Sequence, residues 1–190
     1  MFNMATVVFS GALGSDKIKV LSAYAQGVLT GVAEEVGLER ITVTSTIRTP
    51  RAQAEAMYKN IASGRLIRYK EAGRKVTELC LSMLGKLESK EKTISEMTAL
   101  IEKLSEQGKR VSRHCVSVEE YAKCNIVDIS SSLLHDQAVR LLKKLAERDD
   151  VETIIQPITG KTDVLGDKVS FDPAEPAIHI EINIPKEYRV

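Results

Sequence analysis

The chain is poor in aromatic residues and contains no tryptophan: only 4% of its 190 residues are aromatic. Proteins that bind single-stranded nucleic acids use exposed aromatic side chains as stacking platforms, so this class is not favoured. An excess of one charge sign is also missing, because 27 basic and 26 acidic residues leave a formal charge of +1. We therefore expect no nucleic-acid partner and no surface built to hold an anionic membrane.

Long apolar runs are absent too. No segment approaches the roughly 20 apolar residues that a membrane-spanning helix requires, and the first residues lack the basic segment of a signal peptide. The three cysteines, Cys80, Cys115 and Cys124, match neither a disulfide framework nor a paired Cys-x-x-Cys zinc motif. We expect a protein that is synthesised in the cytoplasm, keeps its thiols reduced and does not insert into membranes.

The periodicity of apolar residues predicts an α+β fold, with helices around a small, mainly antiparallel sheet. The length fits one domain spanning residues 1–190, with a helical elaboration at about 66–107. Strands are predicted in the N-terminal segment and over 41–45, 125–130, 151–158 and 177–184, and a hairpin-like stretch over 160–168. Helices are predicted over 16–37, 51–62 and 133–148, and as two stretches within 66–107.

Two histidines and one aspartate lie beside short apolar or strand-like segments that could hold them still. These are His114 in Val-Ser-Arg-His, Asp128 at the end of Asn-Ile-Val-Asp, and His179 within Ala-Ile-His-Ile-Glu-Ile. Catalytic zinc sites commonly use three such protein ligands and keep the fourth position for water. The pattern therefore predicts an open zinc site and hydrolytic chemistry.

Each of these residues also has a simpler interpretation. A histidine next to isoleucines on a strand can be a structural core residue, and Asp128 could cap the following helix. Arg48 could be a polar residue at a helix start, and His135 is expected at the surface, where a helix begins. Cys115 adjoins His114 and Cys124 is close in sequence, so a thiolate nucleophile or a Cys/His metal site is an alternative. Neighbours on an extended chain point to opposite faces, however, which disfavours Cys115 as a nucleophile with His114 as its base.

Three segments, taken in order, resemble the D-alanyl-D-alanine carboxypeptidase and endolysin-like zinc peptidases that cleave peptidoglycan stem peptides. Ser-Thr-Ile-Arg-Thr-Pro-Arg-Ala-Gln at 45–53 resembles that family's Ser-Gly-Tyr-Arg-Ser/Thr segment and its following Gln. Ser-Arg-His at 112–114 and Ile-Val-Asp-Ile at 126–129 resemble the two ends of its Ser-x-His-x-x-Gly-x-Ala-x-Asp motif. Pro-Ala-Ile-His-Ile-Glu-Ile at 176–182 resembles its final His-Phe-Glu strand.

The resemblance implies the fold of the hedgehog and D-Ala-D-Ala peptidase group. It makes His114, Asp128 and His179 the ligands of a zinc ion. It also makes Arg48 a contact for the substrate or the developing oxyanion, and its fixed fork of donors suits either task. The matched segments further imply that three polar residues bind the substrate: Ser45, Gln53 and Ser112.

The proton of the attacking water needs an acidic acceptor, which the resemblance places just before the final histidine. The family has its acid three residues before that histidine, where this chain has Pro176, so Glu175, four residues before, is assigned the role. Asp172 and Glu181 are the alternatives, and Glu181 could instead orient a ligand. Fourteen positions separate the first two ligands instead of seven, so residues 115–124 are expected to loop out as an insertion.

Together these features predict a hydrolase, a zinc metallopeptidase acting as carboxypeptidase or endopeptidase on peptidoglycan stem peptides. A phage endolysin or an antibacterial effector fits, because either can reach the cell wall after lysis or delivery without a signal peptide. The alternative is a catalytically inactive metal-binding, structural or partner-binding module of the same fold. The displaced acid, the missing glycine and the doubled ligand spacing motivate it.

Overall fold

The computed structural model describes residues 5–10, 20–133 and 135–189, and the chain divides into two compact units. The sheet unit comprises the chain up to Thr46 and from Val118 onward, and the helical unit comprises Ile47–Ser117. The helical unit begins earlier and ends later than the elaboration predicted over about 66–107. Residues 16–19, where the helix predicted over 16–37 begins, lie outside the described residues.

Six strands and six α-helices are described. The strands are β1 (Thr6–Phe9), β2 (Arg40–Ser45), β3 (Cys124–Ile129), β4 (Val151–Gln156), β5 (Val169–Phe171) and β6 (Ile178–Asn183). The helices are α1 (Ala23–Glu35), α2 (Pro50–Ala62), α3 (Glu71–Gly85), α4 (Lys90–Glu106), α5 (Val118–Lys123) and α6 (His135–Ala146), and a 3-10 turn follows at Lys186–Tyr188. No helix in the described ranges is both long enough and apolar enough to span a bilayer.

The strands form one mixed sheet in the order β1-β2-β3-β6-β4-β5. The predicted α+β class is confirmed, but the prediction of a mainly antiparallel sheet is wrong, because both outer pairs, β1/β2 and β4/β5, are parallel. A parallel pair requires a crossover connection, which α1 provides between β1 and β2. Residues 157–168 form the crossover connection between the parallel strands β4 and β5, so these residues do not form the predicted hairpin. The strand β5, which follows this connection, was not predicted.

One face of this sheet carries the core of the sheet unit. The alternate β6 residues Ile178, Ile180 and Ile182 are fully buried among side chains from α1 and α6. Successive strand side chains point to opposite faces, so the residues between these isoleucines lie on the other side. Helical spacing explains the matching faces of the helices, which contribute Ala25, Val28, Leu29 and Val32 from α1 and Leu141, Leu142 and Leu145 from α6.

A polar cluster stabilises the sheet unit close to the start of β4. The Tyr24 hydroxyl donates to Asp150 Oδ2 at 2.5 Å, and Arg148 donates from Nε and Nη2 to the two oxygens of the same carboxylate at 2.8 and 2.7 Å. Burial alone would raise the pKa of Asp150, but the hydrogen bonds from Arg148 and Tyr24 outweigh it and hold that pKa below its ordinary value. The bidentate pair therefore fixes the segment between α6 and β4.

The helical unit has its own core, formed by α2, α3 and α4. Gly73 lies where α3 passes very close to its neighbours: a Cβ atom there would be 2.6 Å from Tyr69 Cβ and 2.7 Å from the carbonyl oxygen of Val111. Only glycine fits this position without movement of the backbone around it. The shared core includes Ala54, Met57, Val76, Cys80, Ile94, Met97, Ile101 and Leu104.

Candidate metal centre

The second face of the sheet unit carries polar side chains where the first carries isoleucines. In the antiparallel β3/β6 ladder Asp128 pairs with His179, and Ile126 pairs with Glu181. Directly opposed residues project to the same side, so Asp128, His179 and Glu181 share one face. Ser45 of β2 pairs with Asp128 and joins them there. The alternation that builds the core therefore also groups these polar residues.

His179 lies between two carboxylates. Its Nδ1 is 3.0 Å from Asp128 Oδ1, and its Nε2 is 3.5 Å from Glu181 Oε1. All three residues are buried, with exposed fractions of 5% for His179, 8% for Asp128 and 9% for Glu181. Buried polar groups persist when they are hydrogen-bonded to one another, so this row of side chains fixes the orientation of the imidazole ring.

The charges around His179 strongly favour its protonated form. Burial lowers the pKa of His179, but hydrogen bonds with Asp128 and Glu181 and the charges of both carboxylates outweigh it and raise the pKa to about 9. Metal ions bind the neutral imidazole, so a metal ion and a proton compete for the same nitrogen. The carboxylates that attract the proton equally attract a cation.

His114 is buried and lies in the helical unit, in the turn that follows Val111. Its carbonyl oxygen accepts a hydrogen bond from the backbone N–H of Arg48 at 2.8 Å, and its own N–H donates to Ser112 Oγ at 3.3 Å. The guanidinium Nη1 of Arg48 donates to Oε1 of the fully buried Gln53 at 3.1 Å. Two segments that sequence resemblance singled out, 48–53 and 112–114, are thus hydrogen-bonded to each other.

His114 is buried within the helical unit, and Asp128 and His179 are buried side by side within the sheet unit, so all three predicted ligands are shielded from solvent. Two imidazole nitrogens and a carboxylate oxygen are the donor types of catalytic zinc sites with three protein ligands, so the residues present fit that ion. Asp128 contacts His179 through its carboxylate, and its role as a metal ligand stays a prediction.

Glu175, the predicted proton acceptor, lies in the loop that leads from β5 to β6. It is half-buried, and its backbone N–H donates to the carbonyl oxygen of Asp172 at 3.1 Å. Glu181, by contrast, is on β6 and contacts His179 through its carboxylate. This places Glu181 as a group that orients His179, while the role of Glu175 stays a prediction.

The remaining predicted positions are placed as follows. Ser45 is buried, and its hydroxyl donates to the carbonyl oxygen of Thr46 at 3.4 Å. Ser112 Oγ accepts the hydrogen bond from the backbone N–H of His114. The expected insertion at 115–124 contains the short helix α5, and His135 is exposed at the start of α6, as predicted. Burial raises the pKa of the Cys115 thiol although the charge of Arg48 opposes it, which further disfavours a thiolate nucleophile.

A second group of metal-ligating side chains was not predicted from the sequence. Ligand atoms of Cys124, Glu152 and Glu181 also lie within 4.8 Å of one another. These residues come from three different strands and are far apart in the chain. Only their adjacency in the sheet, which no local motif encodes, brings them together.

No family model, curated protein or solved structure matches this chain.

Proposed function

We propose that the protein is a zinc-dependent hydrolase of peptidoglycan stem peptides, acting as a carboxypeptidase or endopeptidase with the fold of the zinc peptidases that its sequence resembles. The observation that carries the proposal is the buried contact of Asp128 with His179 on one face of the sheet unit. The sequence resemblance selects these two residues and the buried His114 as the three zinc ligands. A buried set of two imidazoles and one carboxylate leaves a fourth tetrahedral position for the reaction.

Each of the site residues has a separate role in the proposed hydrolysis of an amide bond. A zinc ion in this group would supply Lewis-acid chemistry to the scissile carbonyl and to the attacking water. The planar guanidinium of Arg48, steadied by Gln53, would hold a substrate carboxylate or the developing oxyanion. Ser45 and Ser112 would line the substrate site. Glu181 would keep the His179 ring in its binding orientation through the Nε2 contact.

Glu175 would accept the proton of the attacking water and pass it to the leaving amine. A carboxylate can both accept and release a proton, and proton transfer by a positioned side chain contributes about 10²- to 10⁴-fold to the rate. The biological setting that fits is a phage endolysin or an antibacterial effector. Such an enzyme would meet the cell wall after lysis or delivery.

The decisive experiment combines metal analysis with digestion. Purified protein is expected to carry about one equivalent of zinc and to release stem-peptide fragments with new free termini, identified by mass spectrometry of digested peptidoglycan. His179→Ala should lose both properties, whereas His135→Ala, which changes an exposed histidine, should keep both. Unchanged metal content and hydrolysis in His179→Ala would exclude this function.

The second candidate is a catalytically inactive metal-binding or partner-binding module. The observation that favours it is Pro176, which stands where the resembling enzymes have their acid, leaving Glu175 on a loop. In that case zinc would bind without any turnover of peptidoglycan. Conversely, if Glu175→Ala abolishes hydrolysis while zinc content is retained, the module hypothesis is excluded.

A further inference from the structure

Beside the row of Asp128, His179 and Glu181, the same face of the sheet carries a thiol and a further carboxylate. The group comprises Cys124 on β3, Glu152 on β4 and Glu181 on β6. Cys124 is half-buried, Glu152 is exposed and Glu181 is buried. The three donors therefore extend from the interior of the sheet unit to solvent, which gives an ion a path of entry.

The register of the sheet explains why these donors meet. Ile126 on β3 and Thr153 on β4 both pair with Glu181, so Glu181 lies between the two neighbouring strands. Cys124 is two residues before Ile126 and shares its face. The β4/β6 register shifts between Val151 and Thr153, and Glu152 is the extra residue at that irregularity. A bulge of this kind re-aims a side chain, and here Glu152 reaches the same three-residue group.

We propose that Cys124, Glu152 and Glu181 form a second metal site, selective for thiophilic divalent cations such as Zn²⁺ and Cd²⁺. A thiolate ligand favours these ions over Mg²⁺ and Ca²⁺, which prefer sets made only of oxygen atoms. On binding, the Sγ–H proton of Cys124 leaves to solvent and a metal–sulfur bond forms. The two carboxylates complete three protein ligands, and water occupies the open side toward Glu152.

This group differs from an ordinary surface patch of acidic residues in two respects. Its central carboxylate, Glu181, is buried, and a thiol stands within 4.8 Å of both carboxylates. The inference does not rest on the proposed peptidase function, because none of these three ligands is a proposed ligand of the first site, where Glu181 only contacts His179. The two sites can therefore be tested separately.

The test is a titration of the metal-free protein with Cd²⁺. Binding is monitored by the ultraviolet absorption band that arises from thiolate-to-Cd²⁺ charge transfer. We expect a band that saturates at one equivalent per site and disappears in Cys124→Ser. Cys80→Ser and Cys115→Ser are the matched controls and should keep the band, since these thiols lie in the helical unit. Glu152→Gln, a change at an exposed position, should weaken Cd²⁺ binding at least tenfold without affecting folding.

Asp128→Asn separates this inference from the proposed function. That variant should lose zinc from the group of His114, Asp128 and His179 and yet retain the Cd²⁺–thiolate band. A band that persists in Cys124→Ser, or that Glu152→Gln leaves at full affinity, would overturn the second site. A band that vanishes only in Cys115→Ser would assign the thiolate to another position and overturn it equally. Circular dichroism of each variant shows whether it is folded.

Discussion

Asp128→Asn tests the electrostatics of the His179 environment most directly. The substitution removes one negative charge and leaves an amide oxygen of the same size, which can still accept the hydrogen bond that Asp128 Oδ1 makes with His179 Nδ1 at 3.0 Å. Asp128 is the larger of the two influences that raise the pKa of His179. We therefore expect the pKa of His179 to fall by at least about one unit in the variant, within the range that a neighbouring opposite charge produces.

The raised pKa of His179 also determines how much its protonation stabilises the folded, unaltered protein. His179 has a pKa of about 9 where its ordinary value is 6.5, and one pKa unit corresponds to about 1.4 kcal/mol, so its protonated form contributes about 3 kcal/mol to folding. Because the folded-state pKa is raised, this contribution is complete below pH 6.5 and is lost as the pH rises through about 9. Asp128→Asn should remove at least about 1.4 kcal/mol of this contribution, because the pKa shift shrinks by at least about one unit and Glu181 still raises the pKa.

The assay is nuclear magnetic resonance of the imidazole protons in metal-free protein, titrated from acid to alkaline pH. The chain has only 3 histidines, so the His179→Gln variant assigns the signal. Asp136→Asn, at an exposed position on α6, is the matched control and should leave the titration of His179 unchanged. A His179 signal that titrates near 6.5 in the unaltered protein, or at the same pH in Asp128→Asn, would refute the reasoning.

Three further predictions concern stability and are measured by denaturant unfolding followed by circular dichroism. Gly73→Ala should destabilise the protein by about 1–3 kcal/mol because of the close approach to Tyr69 and Val111, while Gly85→Ala on the same helix, with open space around it, should not. Ile180→Ala should cost about 2–5 kcal/mol because the side chain is fully buried, and a cost below that range would mean that the site collapses around it. The pKa of Asp150 is lowered in the folded protein, so its carboxylate adds stability above pH 3.8 that is lost as the pH falls below this value. Asp150→Asn should remove this contribution. Parallel profiles of stability against pH for the two proteins would contradict this.

Periodicity predicted most of the regular structure, because burial on one face leaves a clear trace in the sequence. The alternation of β6 and the helical spacing of α6 are examples, and each was placed within two residues of its observed bounds, whereas α1 begins at Ala23, seven residues after its predicted start. The strand β5 was missed since only Val169 of its three residues is buried, so it has no repeating pattern. The parallel pairing of both outer strands depends on the return path of the chain, which apolar spacing does not specify.

The candidate site was predictable to the extent that its residues lie in recognisable local segments. His179 and Asp128 share a face because their strands pair in register, and the flanking isoleucines of β6 made that strand visible. Cys124 and Glu152 had no such signal. Their meeting with Glu181 depends on a register irregularity in β4, and an extra residue in one strand leaves no mark on composition or periodicity.

The alternation along β6 has a consequence for how errors in this protein would appear. Ile178, Ile180 and Ile182 fill the core, while His179 and Glu181 lie on the opposite face. A slip of one residue in strand pairing would turn every side chain to the other side, placing an imidazole and a carboxylate in the apolar interior. Copies with this slip would be strongly destabilised, so copies with a stable sheet unit also present His179 and Glu181 on its polar face.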